Sequence, residues 1–318
     1  GFLLQYPSGL IIDEAQNLPE LFSALQVVVD ENKDYRYILS GSSDFLLMQN
    51  ISQTLAGRVA VTRLLPLSIS ELKEDANIDT NTLMWKGFYP AVWGDGKSPD
   101  NVYDSYVSTY LQRDVRQILN IKDLSLFQKF LTIVASRVGN VFIASSIASE
   151  LGVDYKTIQS WMSILETSYT AFLLQPFHRN IGKRLTKTPK IYFYDIGLVC
   201  HLLGIENEQH IKNHPLRGAI FENMVVCEML KRRYNKGLKS NLYFYRDQSA
   251  EVDVIQEEAG SIKAYEIKSA ERFNQEFTKS LSYVQKLLGD EISSSYIIYS
   301  GEEEIKFKNF SLINYHNL

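Results

Sequence analysis

The chain has 318 residues, 45% of them apolar and 22% charged, with a formal net charge of −4. At roughly 100–200 residues per domain this length predicts two or three domains, and the charge excludes a globally basic nucleic-acid binder, so any such surface must be local. No apolar run approaches the ~20 residues of a membrane span, no signal peptide is visible, and Cys200 and Cys227 stand in apolar contexts without metal-like spacing, all of which predicts a cytoplasmic protein with reduced thiols and no membrane partner.

The first segment, 1–70, alternates short strands and helices. Leu10–Ile12 is a buried strand, Pro19–Val29 a helix with Leu21, Leu25 and Val28 on one side, Tyr37–Leu39 a second strand, Phe45–Leu55 a second helix and Val59–Leu65 a third strand. Such alternation predicts a parallel sheet. In "GLIIDEAQNL" the first strand ends in Asp13 and Glu14. An Asp in that place binds Mg²⁺ in nucleotide-hydrolysing sites and a following Glu polarises water. Asp13 and Glu14 are therefore the expected acidic pair, with Ser40 and Ser42 of "SGSS" as a γ-phosphate sensor and Arg58 of "LAGR" as a charge-stabilising arginine. The glycine-rich phosphate loop that completes such a site does not precede them in the chain, which starts with Gly rather than Met and reads as a trimmed or truncated protein. "AVWGDGKS" (91–98) has the loop's Gly-Lys-Ser ending but follows Tyr89-Pro90 and precedes Pro99. A turn leading into a helix fits it better than a phosphate grip.

Residues 71–123 read as a helical linker or lid, with Ser98 as cap and Pro99 in the first turn of a helix. Residues 124–188 are expected to be a helical piece around a helix-turn-helix, "ASSIASELGVDYKTIQSWMS", with Ile147, Ala148, Leu151, Val153, Ile158 and Trp161 inward and Gly152 at the turn. Lys156, Thr157, Gln159 and Ser160 point outward. The following "HRNIGKRLTKTPK" carries Arg179, Lys183, Arg184, Lys187 and Lys190 without an acid, as a basic wing would. Lys156, Arg179, Lys183, Arg184 and Lys187 are the candidate DNA contacts.

The last segment, 189–318, returns to mixed α and β. A two-residue turn at Ala259-Gly260 would pair Glu258 with Ser261, Asp253 with Glu266, and Glu251 with Lys268. Facing carboxylates call for a cation. Asp253 and Glu266 are thus candidate Mg²⁺ ligands and Lys268 a residue that orients or activates water, with Glu222 of the apolar helix "RGAIFENMVVCEMLKRR" as the supporting acid. The opposing possibility is a plain hairpin with a Glu251–Lys268 surface ion pair and a solvated Glu222.

Together "LIIDEAQNLPELF", "ILSGSSDFLL", "LAGRVAVTRLLPLSISEL", "YLQRDV", "NIGKRLTKTPKIYFYDIGL", "RGAIFEN", "EVDV" and "YEIKS" resemble the prokaryotic AAA+ ATPases whose core is followed by a winged helix and a C-terminal PD-(D/E)xK nuclease-like domain. The resemblance implies an α/β multi-domain fold with a partial P-loop-type unit (1–70), a helical middle (71–123 and a winged helix over 124–188) and an α/β nuclease-like domain (189–318). It implies Asp13 and Glu14 as Walker B, the "SGSS" serines as sensor, and Glu222, Asp253, Glu266 and Lys268 as the nuclease-like constellation. Mg²⁺ is the implied cofactor, and ATP only where a phosphate loop precedes Gly1. Expected partners are DNA, a second copy of the chain or another protein; a non-catalytic binding or regulatory module is the alternative function.

Overall fold

The computed structural model describes residues 1–41, 51, 53–75, 78–111, 124–178, 188–258 and 260–318. Cα packing divides the chain into two compact units, Gly1–Thr62 and Arg63–Leu318. The expected segments 71–123, 124–188 and 189–318 thus lie within one of them.

In the first unit, β1 (Leu10–Ile12) and β2 (Tyr37–Leu39) pair in parallel, Ile11 opposite Ile38, and α1 (Pro19–Glu31) makes the crossover. Pro19 opens α1, where a missing N–H costs nothing. Phe22, Leu25 and Val28, at helical spacing, bury against Leu3, Ala15, Ile51 and Leu55. Most of the expected 45–55 helix lies outside the described residues. The expected strand at Val59–Leu65 is absent: the stretch has no ladder partner among the described residues, and Val61 and Leu64 are 50% and 97% exposed. Alternating β-branched residues favour extended backbone, but a strand also needs an edge to pair with.

The second unit begins with short helices, α2 (Thr80–Lys86), α3 (Pro90–Trp93) and α4 (Pro99–Ser105), the last continued by a π-helical turn over Tyr106–Leu111. Asp79 caps α2 by accepting the N–H groups of Asn81 and Thr82. Ser98 occupies the expected cap position of α4, but its side chain makes no cap bond. The one-turn helix α3, not a strand, leads into "GDGKS", and Lys97 pairs with Asp95 on the surface at 3.1 Å.

Helices α5 (Leu124–Ser136), α6 (Ala144–Leu151) and α7 (Tyr155–Thr167) follow. Gly152, at φ 68°, ends α6 in the left-handed region, and Asp154 caps α7 through the Lys156 N–H. Ile147, Ala148, Ile158 and Trp161 are buried as the helix-turn-helix pattern predicts, and Leu151 and Val153 are half-buried against the same core. The antiparallel pair β3 (Ala171–Leu174) and β4 (Lys190–Phe193) comes next, Leu174 opposite Lys190.

After α8 (Ile196–Leu202), α9 (Glu208–Lys212) and α10 (Arg217–Tyr234) the chain forms a six-stranded sheet. Its strands are β5 (Leu242–Arg246), β6 (Glu251–Glu258), β7 (Ser261–Lys268), β8 (Ile292–Tyr299), β9 (Ile305–Lys306) and β10 (Ser311–Asn314), with α11 (Lys279–Leu288) crossing between β7 and β8. The order is β5-β6-β7-β8-β10-β9; β7, β8 and β10 run parallel. Val254, Tyr265, Ile267 and Ile298 pack with Ile220, Phe221, Met224 and Val225 of α10, whereas Val252, Ile262, Ala264 and Ile297 pack with Leu281, Val284 and Leu288 of α11. A sheet covered by helices on both faces needs apolar residues on both.

Three buried charged groups join distant stretches of the second unit. Asp195, 2% exposed, accepts from the N–H groups of Phe88, Gly197 and Leu198 and from the Tyr103 hydroxyl. On α10, Glu228 accepts the Ile69 N–H at 2.9 Å and Lys231 donates to the Leu67 carbonyl at 2.7 Å. Backbone hydrogen bonds also join the chain after β3 to β5, from Phe177 N to the Phe244 carbonyl and from Phe244 N to that of Gln175. Among the described residues, no helix is long and apolar enough to cross a membrane.

Candidate functional site

The hairpin β6–β7 runs from Glu258 opposite Ser261 to Val254 opposite Tyr265, the register that a two-residue turn dictates. Beyond Val254 the simple alternation breaks. On β5, Tyr243 pairs with Ile255 but Tyr245 pairs with Val252, so Asp253 and Val254 together face Phe244. This is a bulge, which re-aims the side chains around it. Asp253 Oδ2 accepts the Ile267 N–H at 2.7 Å. Glu251 is turned away from Lys268 and pairs instead with Lys190 at 2.5 Å and Arg246 at 3.2 Å. The Glu251–Lys268 surface pair is therefore not formed.

Lys268 donates to Glu266 Oε1 at 2.6 Å and lies 3.7 Å from Asp253 Oδ2. Glu222 reaches the same cluster from α10; its Oε1 accepts from the Tyr192 hydroxyl at 2.5 Å and from Lys190 Nζ at 3.2 Å. Asp253 and Glu266 are 7% and 6% exposed, whereas the Lys268 side chain is 31% exposed. The cluster is thus closed at its acids and open at its lysine.

Lys190 is the site residue that sequence reasoning missed. It was expected in the basic wing, but it opens β4, is 1% exposed, and lies over the Phe244 ring at 5.5 Å. The signal available in the sequence is its place at the head of the apolar run "IYFY". A lysine entering such a strand is buried only with partners, and Glu222 and Glu251 are those partners.

Burial pushes Glu266 up to about 8, with the Asp253 charge adding and Lys268 opposing. Burial and then Asp253 push Glu222 up to about 7, against the pull of Lys190 and Tyr192. For both lysines burial acts to lower the pKa, but the facing carboxylates outweigh it and raise it. The facing carboxylates thus favour the protonated form of Lys268.

Among the described residues, no three of His, Cys, Asp and Glu gather closely enough to hold a metal by themselves. The buried Glu266 Oε2 has no hydrogen-bond partner among them, however. An orphaned carboxylate oxygen beside a second buried carboxylate fits a hydrated divalent ion, since Mg²⁺ is commonly held through one or two carboxylates and keeps several waters. The donor set fits such an ion and not a fully enclosed one.

In the first unit, Ser40 Oγ donates to Asp13 Oδ1, and backbone bonds tie the strand ends, Ser40 N to the Ile12 carbonyl and Ala15 N to that of Ser40. Glu14 stands in the left-handed region at φ 51°, and its carboxylate accepts from the Gln16 amide. Asp13, Glu14 and Ser40 are therefore brought together. Arg58 instead forks onto Asp30 of α1 at 2.6 and 2.9 Å. Lys156 is exposed in the first turn of α7. Ser42, Arg179, Lys183, Arg184 and Lys187 lie outside the described residues.

Residues 2–73 match a family model described as an AAA domain, residues 77–209 a domain of unknown function, DUF8612, and residues 217–318 a domain of unknown function, DUF4143. The two outer matches support an AAA-like ATPase family. The AAA-like match covers the strand pair that carries Asp13 and Ser40, and the DUF4143 match covers α10 and the whole six-stranded sheet. Uncharacterized proteins of Mycobacterium tuberculosis and Mycobacterium bovis are each 31% identical over 303 residues, 93% of this chain and 66% of the relative. An uncharacterized protein of Haemophilus influenzae is 22% identical over 271 residues, 79% of this chain and 63% of the relative. The chain thus spans 66% of the length of its mycobacterial relatives.

Proposed function

We propose that the Arg63–Leu318 unit cleaves phosphodiesters with a divalent ion held by Asp253 and Glu266, and that it works beside an AAA-like nucleotide unit. The observation that carries this reading is the orphaned, buried Glu266 Oε2 next to Asp253, with Lys268 at the solvent side. A bound Mg²⁺ would supply Lewis acidity toward a phosphoryl oxygen and a more acidic bound water. Lys268, held protonated by its carboxylates, donates hydrogen bonds that orient water or offset phosphoryl charge. Arg246, exposed beside Glu251, would contact the incoming phosphate backbone. Glu222 supports from below through Tyr192 and Lys190. Incubation with single- and double-stranded DNA and Mn²⁺ or Mg²⁺ tests the reading. Cleavage lost in Asp253→Asn and Lys268→Ala is expected; no cleavage, or cleavage unchanged in Asp253→Asn, rejects it.

A second reading, a non-catalytic DNA-binding module with winged-helix geometry, draws on α6 and α7 meeting at Gly152 with Lys156 exposed. It predicts binding without cleavage. In the first unit, Asp13 and Ser40 would form the magnesium end of a nucleotide site; loss of Mg·ATP binding in Asp13→Ala tests that part.

A further inference from the structure

The acid cluster holds two positions where a cation bridges carboxylates from different elements. One, between Asp253 of β6 and Glu266 of β7, is approached by Lys268 from the solvent side. The other lies between Glu222 of α10 and Glu251 of β6, and there Lys190 Nζ reaches both carboxylates, at 3.2 and 2.5 Å. Lys268 is 31% exposed in its side chain and so reaches solvent. Lys190 does not. It is 1% exposed, its strand is paired to β3 through Leu174, and its ammonium lies over Phe244. Expelling it would leave an ammonium buried without a partner, which is among the most costly changes a protein interior can make.

We propose that Lys190 is a built-in cation that fills the second position, so that the cluster takes a single divalent ion, at Asp253 and Glu266. The inference rests on the metal reading of that site and narrows it. Two-metal phosphodiesterases place their ions about 4 Å apart with carboxylates between them. Here one of the two places belongs to the fold itself, and Glu222 holds a lysine and not a metal. The other oxygen of Glu251 is on Arg246 and the Glu222 oxygen that meets Lys190 also takes the Tyr192 hydroxyl, so both acids keep protein partners should Lys190 be replaced.

The test counts ions and does not depend on activity. Mn²⁺ is titrated into the full chain by calorimetry, with free Mn²⁺ followed by electron paramagnetic resonance. Wild type is expected to bind about one ion, lost in Asp253→Asn, and Lys190→Met about two, the added one lost again in the double variant Lys190→Met/Glu251→Gln. Two ions in wild type, or one in a folded Lys190→Met, overturns the inference and leaves the metal reading standing. No ion in wild type but one in Lys190→Met upholds the inference and rejects Asp253 and Glu266 as ligands; none in either rejects both. Should Lys190→Met lack a melting transition in metal-free buffer, its restoration by Mn²⁺ supports the inference, and no restoration overturns it.

Discussion

Asp253 Oδ2 accepts the main-chain N–H of Ile267 at 2.7 Å, taking the place of a backbone carbonyl where the β6–β7 ladder ends. One carboxylate thus serves the sheet as an acceptor and the cluster as a charge. The bulge that faces Phe244 makes this possible: it shifts β6 by one residue, turning Glu251 toward Lys190 while Asp253 stays beside β7.

These two duties separate by substitution. Asp253→Ala leaves the Ile267 N–H buried and unpaired, which costs about 1–3 kcal/mol in denaturant unfolding. Asp253→Asn keeps a carbonyl acceptor and is expected to unfold nearer wild type while losing divalent-ion binding. Equal destabilisation by both variants would mean that the charge, and not the hydrogen bond, is what the sheet needs.

The cluster also sets a pH dependence. Glu266 and Glu222 are pushed up to about 8 and about 7 in the folded chain, from an ordinary value of 4.5. Between those values the unfolded chain has released protons that the folded chain keeps. Stability from these groups is therefore full below pH 4.5 and declines as pH rises toward 8, by at most about 1.4 kcal/mol per pH unit for each group. Melting temperature in a chelator should fall across this window, and Glu266→Gln should remove much of the slope. Mn²⁺, by taking the proton's place, should flatten it as well. A wild-type profile as flat as that of Glu266→Gln would count against the buried charge conflict.

A separate expectation concerns the buried carboxylate that joins Phe88, α4 and α8. Asp195 gathers donors from Phe88, Tyr103, Gly197 and Leu198, and a Cβ on Gly197 would lie 2.3 Å from the Tyr103 hydroxyl. Asp195→Ala should cost about 3 kcal/mol or more, and Gly197→Ala should also destabilise strongly by pushing Tyr103 off the carboxylate. Gly218→Ala, with open space around it, is the control and should leave chemical unfolding near wild type.

Much of this was legible from short-range pattern. The parallel β1–β2 unit follows from apolar runs around an amphipathic helix, and the hairpin register up to Val254–Tyr265 follows from turn length. What escaped depends on a third element. The bulge at Asp253 exists only against β5, and Lys190 is read as a wing residue until Glu222 and Glu251 are seen to close on it. Val59–Leu65 has strand composition but no edge to join among the described residues. Arg58 carries the charge expected near Asp13, yet Asp30, on the exposed face of α1, holds it. Local sequence states what a side chain can do; its partner's distance along the chain decides which of those things it does.

The helix pair α6–α7 makes the remaining expectation. Lys156 is exposed in the first turn of α7, where its N–H, and not its ammonium, is taken up by Asp154. If this helix meets DNA, the ammonium contacts phosphate and releases a counterion on binding. Lys156→Ala should then weaken binding to unrelated duplexes by a similar factor and reduce the slope of log K against log salt by about 1. Gln159→Ala, about one turn further along the same exposed face, carries no charge and should leave that slope unchanged. Fluorescence anisotropy at several salt concentrations checks both. A slope unaltered by Lys156→Ala would place any DNA contact elsewhere on the chain and leave α7 as a packing element, held by Ile158 and Trp161 in the core.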